Sequence, residues 1–116
     1  MPNDIEIVLE ESKSVNGQPI REITVRPTSY YTSAGQPVTF RLRGTNAFFF
    51  TLFFPYGTPF DDSEIHSNGS ASPPAVNTSA AAEFGRYHYY VAVAGTDANG
   101  RDDVFVIAGC PEIIIR

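Results

Sequence analysis

The segment from Phe84 to Val93 constrains the fold more than any other part of this chain, because its side chains alternate in character. Large apolar or aromatic residues occupy every second position, at Tyr87, Tyr89, Val91 and Val93. Successive side chains of a β-strand point to opposite faces, so these residues are predicted to share one buried face. The opposite face is then predicted to carry Arg86, His88 and Tyr90. The segment is therefore predicted to be a core strand of a β-sheet.

The same period of two recurs along most of the chain. Runs of β-branched and aromatic residues are separated by turn residues, and no segment has the period of a long helix. A chain of 116 residues forms one domain of ordinary size. The sequence therefore predicts a single all-β domain over residues 1–116, built as an antiparallel Greek-key β-sandwich of seven to nine strands.

Two strands are predicted near the start of the chain, over Ile5 to Leu9 and about Ile20 to Arg26. The pair Asn16-Gly17 lies between them, and Asn-Gly favours a tight hairpin because both residues tolerate positive φ. The two strands are predicted either to pair as a hairpin or to lie in different sheets. Pro27 ends the second strand, since proline lacks the amide hydrogen that a ladder needs.

The run from Phe48 to Phe54 is apolar on both faces. A sandwich strand has only one face in the core, so Phe49 and Phe53 on its second face need a cover. A long irregular loop is predicted over residues 55–82, which are rich in Pro, Gly, Ser, Asn and Ala. The cover is therefore either this loop or a partner.

The order of these segments resembles the cupredoxin family. The resemblance rests on Ile23 to Pro27, Gly35 to Phe40, the Phe-rich run, and the sequence Gly-Arg-Tyr-His-Tyr from Gly85. It implies a cupredoxin-type Greek-key sandwich over residues 23–116, with the first strand as an addition. Immunoglobulin-like sandwiches share this patterning and are the alternative fold.

The resemblance does not extend to the copper site of that family. Its copper-ligating cysteine would stand at Val91, no histidine precedes His66, the hairpin over residues 94–103 has no histidine, and the sole methionine is Met1. A blue copper site needs two histidines, a cysteine and a weak axial ligand. The resemblance therefore implies a sandwich with no copper site, and no cofactor is predicted.

The charge and cysteine content exclude several classes of function. Thirteen acidic against eight basic residues give a formal charge of −5, with no extended Lys/Arg cluster, so nucleic-acid binding is not predicted. Cys110 is the only cysteine and can form no intramolecular disulfide. No apolar run is long enough to cross a membrane, and the first twenty residues do not resemble a signal peptide. A soluble cytoplasmic protein is predicted, the alternative being the mature form of an exported protein.

Three other kinds of site are weaker hypotheses. Metal binding without a blue centre would use His66, His88 or Cys110, although no ligand cluster of defined spacing supports it. Binding of a small ligand or carbohydrate would use Tyr30, Tyr31, Tyr56 and the 55–82 loop. Catalysis ranks last, because no nucleophile elbow or other catalytic motif is present.

The favoured hypothesis is a metal-free β-sandwich that acts as a binding or protein-interaction module, either with a partner protein or as a homo-oligomer. An aromatic surface edged by Arg and His has the composition of a protein interface. The predicted partner-binding residues are Phe49, Phe53, Arg86, His88 and Tyr90.

Overall fold

The computed structural model describes residues 4–13, 16–17, 19–44, 47–67, 73–96, 100, 102–107 and 111–116. The described residues form strands, turns and bends with no helix, so the predicted all-β class is confirmed for them. Eleven strands are assigned within these ranges: β1 (Asp4–Lys13), β2 (Pro19–Arg26), β3 (Ser29–Thr32), β4 (Pro37–Arg43), β5 (Ala47–Phe53), β6 (Glu64–His66), β7 (Val76–Asn77), β8 (Gly85–His88), β9 (Tyr90–Thr96), β10 (Asp102–Val106) and β11 (Glu112–Ile115).

The first sheet has the strand order β2-β1-β4-β7. Strands β1 and β2 pair antiparallel from Glu6 opposite Arg26 to Lys13 opposite Pro19. Of the two arrangements predicted for these strands, the hairpin is therefore the one that forms. Strand β1 pairs parallel with β4 on its other side, and β4 pairs antiparallel with the short β7.

The second sheet has the order β10-β9-β5-β6, and all of its pairs are antiparallel. The third sheet has the order β3-β11-β8, in which β11 pairs parallel with β3 and antiparallel with β8. The parallel pairs β1/β4 and β3/β11 correct the expectation of a purely antiparallel arrangement. Parallel neighbours need a connection of a dozen or more residues between them. The strands of both pairs are separated by more than that in the sequence, so parallel pairing is possible.

The predicted strand over residues 84–93 is divided at Tyr89 into β8 and β9, which lie in different sheets. The amide of Tyr89 donates to the carbonyl oxygen of Pro111 (3.1 Å). The chain also changes sheet after Pro27, between β2 and β3, and again between β10 and β11. The division at Tyr89 and the short strands β3, β6 and β7 explain why the described residues contain eleven strands where the sequence predicts seven to nine.

The buried faces of all three sheets contribute to one hydrophobic core. Phe40 of the first sheet packs against Phe50 of the second, with ring centroids 6.4 Å apart. Of the four predicted inward residues, Tyr89, Val91 and Val93 are buried, and Tyr87 is half-buried and packs against the core. Each fully buried large apolar side chain contributes roughly 1.5–3 kcal/mol to folding relative to an exposed one.

The segment over residues 55–82 is tied to the sheets at several points within its described residues. Strand β6 pairs with β5, and β7 pairs with β4. Phe60 is buried, with its ring 5.5 Å from that of Phe54 and 6.2 Å from that of Phe40. Thr78 Oγ1 donates to the carbonyl oxygen of Ser33 (2.9 Å). This segment therefore packs at the edges of the first two sheets and supplies one core aromatic residue.

No helix long and apolar enough to cross a lipid bilayer occurs in the part of the chain that the structure describes.

Candidate functional site: the outer face of the second sheet

The pairing of β5 with β9 brings three of the predicted interface residues together. Phe53 lies opposite Tyr90, and Phe49 lies opposite Ala94. Residues directly opposite each other in an antiparallel pair share one face, with Cβ atoms roughly 4.5–5.5 Å apart. Phe50 and Leu52, which alternate with the two phenylalanines, are buried in the core. Phe49, Phe53 and Tyr90 therefore point away from the core on the same side of the sheet.

Strand β10 extends this surface with two more apolar side chains. Val104 lies opposite Ala94, and Val106 lies opposite Ala92. The exposed fractions are 46% for Phe49, 36% for Phe53, 38% for Tyr90, 61% for Val104 and 63% for Val106. Together with Thr51, Ala92 and Ala94, these five side chains form what we call the outer face.

The sequence predicts either this loop or a partner as the cover of Phe49 and Phe53, and the described residues of the 55–82 segment, 55–67 and 73–82, do not cover them. Its strand β6 lies beside β5 and widens the sheet, while Phe60 turns into the core on the other side. Phe49 and Phe53 remain exposed. The apolar character of this face is therefore not explained by packing within the described part of the chain.

Polar groups border the outer face at two of its edges. On β6, His66 Nδ1 lies 3.0 Å from Thr51 Oγ1, and His66 Nε2 lies 3.3 Å from Glu64 Oε2. On β10, Asp102 Oδ1 accepts a hydrogen bond from Thr96 Oγ1 (3.3 Å). Both carboxylates belong to exposed residues. The outer face is thus an apolar surface with an acidic group at each lateral edge.

Arg86 and His88 are predicted to adjoin Phe49 and Phe53, but the structure places them elsewhere. Both lie on β8 in the third sheet, where His88 is opposite Glu112 of β11. They are separated from the outer face because the chain changes sheet at Tyr89. Both side chains are exposed, so the predicted alternation along the segment is correct while the predicted neighbours are not.

The neighbours of Arg86 and His88 form a small polar cluster around Glu112, whose side chain is largely buried. Ser29 Oγ donates to Glu112 Oε1 (2.9 Å), and Arg86 Nη1 lies 3.3 Å from the same oxygen. His88 Nδ1 is 3.8 Å from Glu112 Oε2. A buried carboxylate requires such partners, so this cluster links the three strands of the third sheet.

The residues of the metal hypothesis are not brought together. His66 lies on β6 of the second sheet and His88 on β8 of the third, while Cys110 lies outside the described residues. Within the described ranges, no group of three or more His, Cys, Asp and Glu side chains is arranged to hold a metal ion.

Two of the tyrosines of the ligand hypothesis, Tyr30 and Tyr31, point in different directions. Tyr30 is half-buried, and its burial, with a smaller effect from Asp4, raises the pKa of its hydroxyl. Tyr31 is exposed, and the guanidinium carbon of Arg116 lies 4.4 Å from the centre of its ring. Adjacent strand residues face opposite ways, so Tyr30 and Tyr31 do not line one surface.

Val104 and Val106 are the part of the site that sequence reasoning missed. Their alternation with the half-buried Phe105 and Ile107 is visible in the sequence. Alternation alone does not say which other strand lies beside a given strand. The contribution of β10 to the outer face becomes apparent only from its register with β9.

Comparison with known proteins adds no family to this description. No protein-family model matches the chain, and no curated protein is significantly similar to it.

Proposed function

We propose that this protein is a metal-free β-sandwich module, cupredoxin-like in arrangement and without catalytic activity, that binds another protein through the outer face. The observation that carries the proposal is the exposure of five large apolar side chains, three of them aromatic, on one side of a single sheet. Contiguous exposed apolar patches of this kind are typical of interaction sites. Aromatic residues at the centre of an interface contribute most of its binding energy.

The strand pairing argues against the immunoglobulin-like alternative. Immunoglobulin-type sandwiches consist of two antiparallel sheets. This chain has parallel pairs between β1 and β4 and between β3 and β11. Strands β1 and β11 each have one parallel and one antiparallel neighbour, so the first and the third sheet are both mixed.

The test is affinity capture from the source cell with the wild type and the variant Phe53→Asp. Phe53 lies opposite Tyr90 on the outer face, and a carboxylate there would be desolvated in any complex that buries it. We expect the captured partner to be lost with Phe53→Asp. The fold should persist, because Phe53 does not belong to the buried core.

The matched control is Tyr56→Asp, which makes the same change of aromatic ring to carboxylate at a residue that is 82% exposed and outside the outer face. Thermal unfolding and far-UV circular dichroism of both variants establish that they fold. A partner retained equally by the wild type and both folded variants would contradict the proposal.

A further inference from the structure

The outer face is lowest at Ala92 and Ala94 of β9, and we call this depression the trough. Phe49 and Thr51 of β5 lie on one side of the two alanines, and Val104 and Val106 of β10 lie on the other. Phe53 and Tyr90 lie at one end of the trough. Strands β5 and β10 flank β9, so their backbones are about 9.6 Å apart, twice the usual spacing between strands. An α-helix with its side chains is about 10–12 Å across. One helix laid along the trough would therefore contact both walls.

The area of the outer face suits a small occupant better than a second folded domain. A large aromatic side chain has roughly 150–250 Å² of surface, so the five partly exposed side chains present on the order of 400 Å² of apolar surface. Stable complexes between globular proteins bury about 800 Å² on each partner. A second copy stacked on this face alone would bury about half of what a stable dimer needs. A single amphipathic helix needs no more than one such face.

The charges around the trough favour a basic occupant. Glu64 lies at the β6 edge and Asp102 at the β10 edge, and no Lys or Arg lies on the described part of the outer face. Arg86, on the adjoining third sheet, is already paired with Glu112. The whole chain carries a formal charge of −5, so two copies repel each other while a Lys/Arg-rich segment is attracted.

We propose that the occupant of the outer face is one basic amphipathic α-helix of a partner protein, with its apolar stripe in the trough and its Lys or Arg side chains over Glu64 and Asp102. This inference rests on the proposed function and specifies the chemistry of the partner. Helix-in-groove recognition of this kind uses apolar anchors at helical spacing.

The probe is a synthetic peptide of about 18 residues, long enough to form a helix, with Leu at helical spacing on one face and Lys on the other. Binding to the full chain is measured by isothermal titration calorimetry, and helix formation by circular dichroism. Two control peptides have Glu in place of every Lys, or the Leu and Lys residues in an order that destroys the apolar stripe. We expect the first peptide to bind and to become helical, and each control to bind at least about tenfold more weakly.

Protein variants separate recognition by the face from general attraction between opposite charges. Phe53→Asp makes the protein more acidic, so charge alone would strengthen its binding of the Lys peptide. Occupancy of the trough instead predicts that binding weakens at least about tenfold. Val106→Asp, at the strongly exposed wall on β10, is the second variant and should act in the same direction. Tyr56→Asp should bind at least as tightly as the wild type.

Three results would overturn the inference. One is tighter or unchanged binding by folded Phe53→Asp and Val106→Asp, which would mean charge attraction alone. Another is no binding of the Lys peptide by the wild type. The third is a wild-type dimer at neutral pH in sedimentation velocity that Phe53→Asp dissociates, which would make the occupant a second copy. If the Lys peptide does not bind while capture of a cellular partner still depends on Phe53, the inference of a helical occupant is wrong and the proposed function stands.

Discussion

At the scale of single residues, the hydroxyl of Tyr89 is an exception in an otherwise apolar core. It is the one buried side-chain polar atom of the described residues that lacks a hydrogen-bond partner. The ring itself is well packed, with its centroid 5.2 Å from that of Phe54. Burying a hydroxyl without a partner costs about 1–3 kcal/mol in proteins. The ring of Tyr89 therefore stabilises the fold while its oxygen opposes it.

We expect Tyr89→Phe to raise the free energy of unfolding by up to about 1 kcal/mol, because the change removes an unsatisfied oxygen and keeps the ring. The matched control is Tyr87→Phe, which removes a hydroxyl that donates to the carbonyl oxygen of Glu83 (2.7 Å). In this control, the free energy of unfolding should be unchanged or fall by up to about 1 kcal/mol. Urea unfolding measures both. A clear loss of stability in Tyr89→Phe would show that its hydroxyl has a partner.

The difference in the free energy of unfolding between Tyr89→Phe and the wild type is expected to depend on pH. Burial raises the pKa of Tyr89 above the value of 10.0 that an exposed tyrosine has. The folded state therefore keeps its proton at pH values where the unfolded state loses it. The contribution of this proton to stability is complete below pH 10.0 and declines as the pH rises above it, by about 1.4 kcal/mol per pH unit. We expect the advantage of Tyr89→Phe over the wild type to grow above that pH and to stay constant below it.

At the scale of strands, the sequence predicted what each strand buries better than what it pairs with. The alternation that assigned Tyr89, Val91 and Val93 to the core is intrinsic to a strand and needs no knowledge of neighbours. The placement of Arg86 and His88 beside Phe53 required the strand to stay in one sheet. It does not, since β8 pairs with β11 in the third sheet and β9 pairs with β5 in the second. Long-range pairing of this kind has no local sequence signal.

Gly44 marks the point where β4 ends against β1. Its φ is +135°, and a Cβ added there would lie 2.5 Å from the carbonyl oxygen of Leu9. The parallel pairing of β1 with β4 brings this carbonyl close, since Val8 is the partner of Arg43. Only a residue without a Cβ fits between the two strands at this position.

We expect Gly44→Ala to lower the free energy of unfolding by about 2 kcal/mol or more, because both the backbone angle and the contact with Leu9 become unfavourable. The control is Gly85→Ala, where φ is +151° and nothing lies within 4 Å of the added Cβ. Gly85→Ala should lower the free energy of unfolding by only about 1 kcal/mol, because the backbone angle alone becomes unfavourable. Urea unfolding at neutral pH distinguishes them. Equal losses would mean that β1 moves away from Gly44 without cost.

At the scale of the whole molecule, an exposed apolar face is combined with a net negative charge. The formal charge of −5 at pH 7 opposes association between copies, and the sequence isoelectric point is about 4.8. Charge repulsion disappears near that pH, while the apolar surface of Phe49, Phe53 and Tyr90 is unchanged. Association between copies is then limited only by how well two outer faces pack.

We expect the wild type to be monomeric at neutral pH and to associate as the pH approaches 4.8, where its net charge vanishes. The double variant Phe49→Thr/Phe53→Thr should remain monomeric over the same range. It removes two exposed rings without adding charge, and threonine is well tolerated in strands, as Thr51 between them illustrates. Light scattering and sedimentation velocity follow both proteins from pH 7 downward.

The control for this experiment is Tyr31→Thr/Tyr56→Thr, which removes two exposed rings outside the outer face and should associate like the wild type. If it instead remains monomeric, or if Phe49→Thr/Phe53→Thr associates as strongly as the wild type, the apolar surface responsible lies elsewhere on the molecule. Because the three proteins have the same formal charge, a difference between the two double variants is attributable to the position of the rings and not to electrostatics.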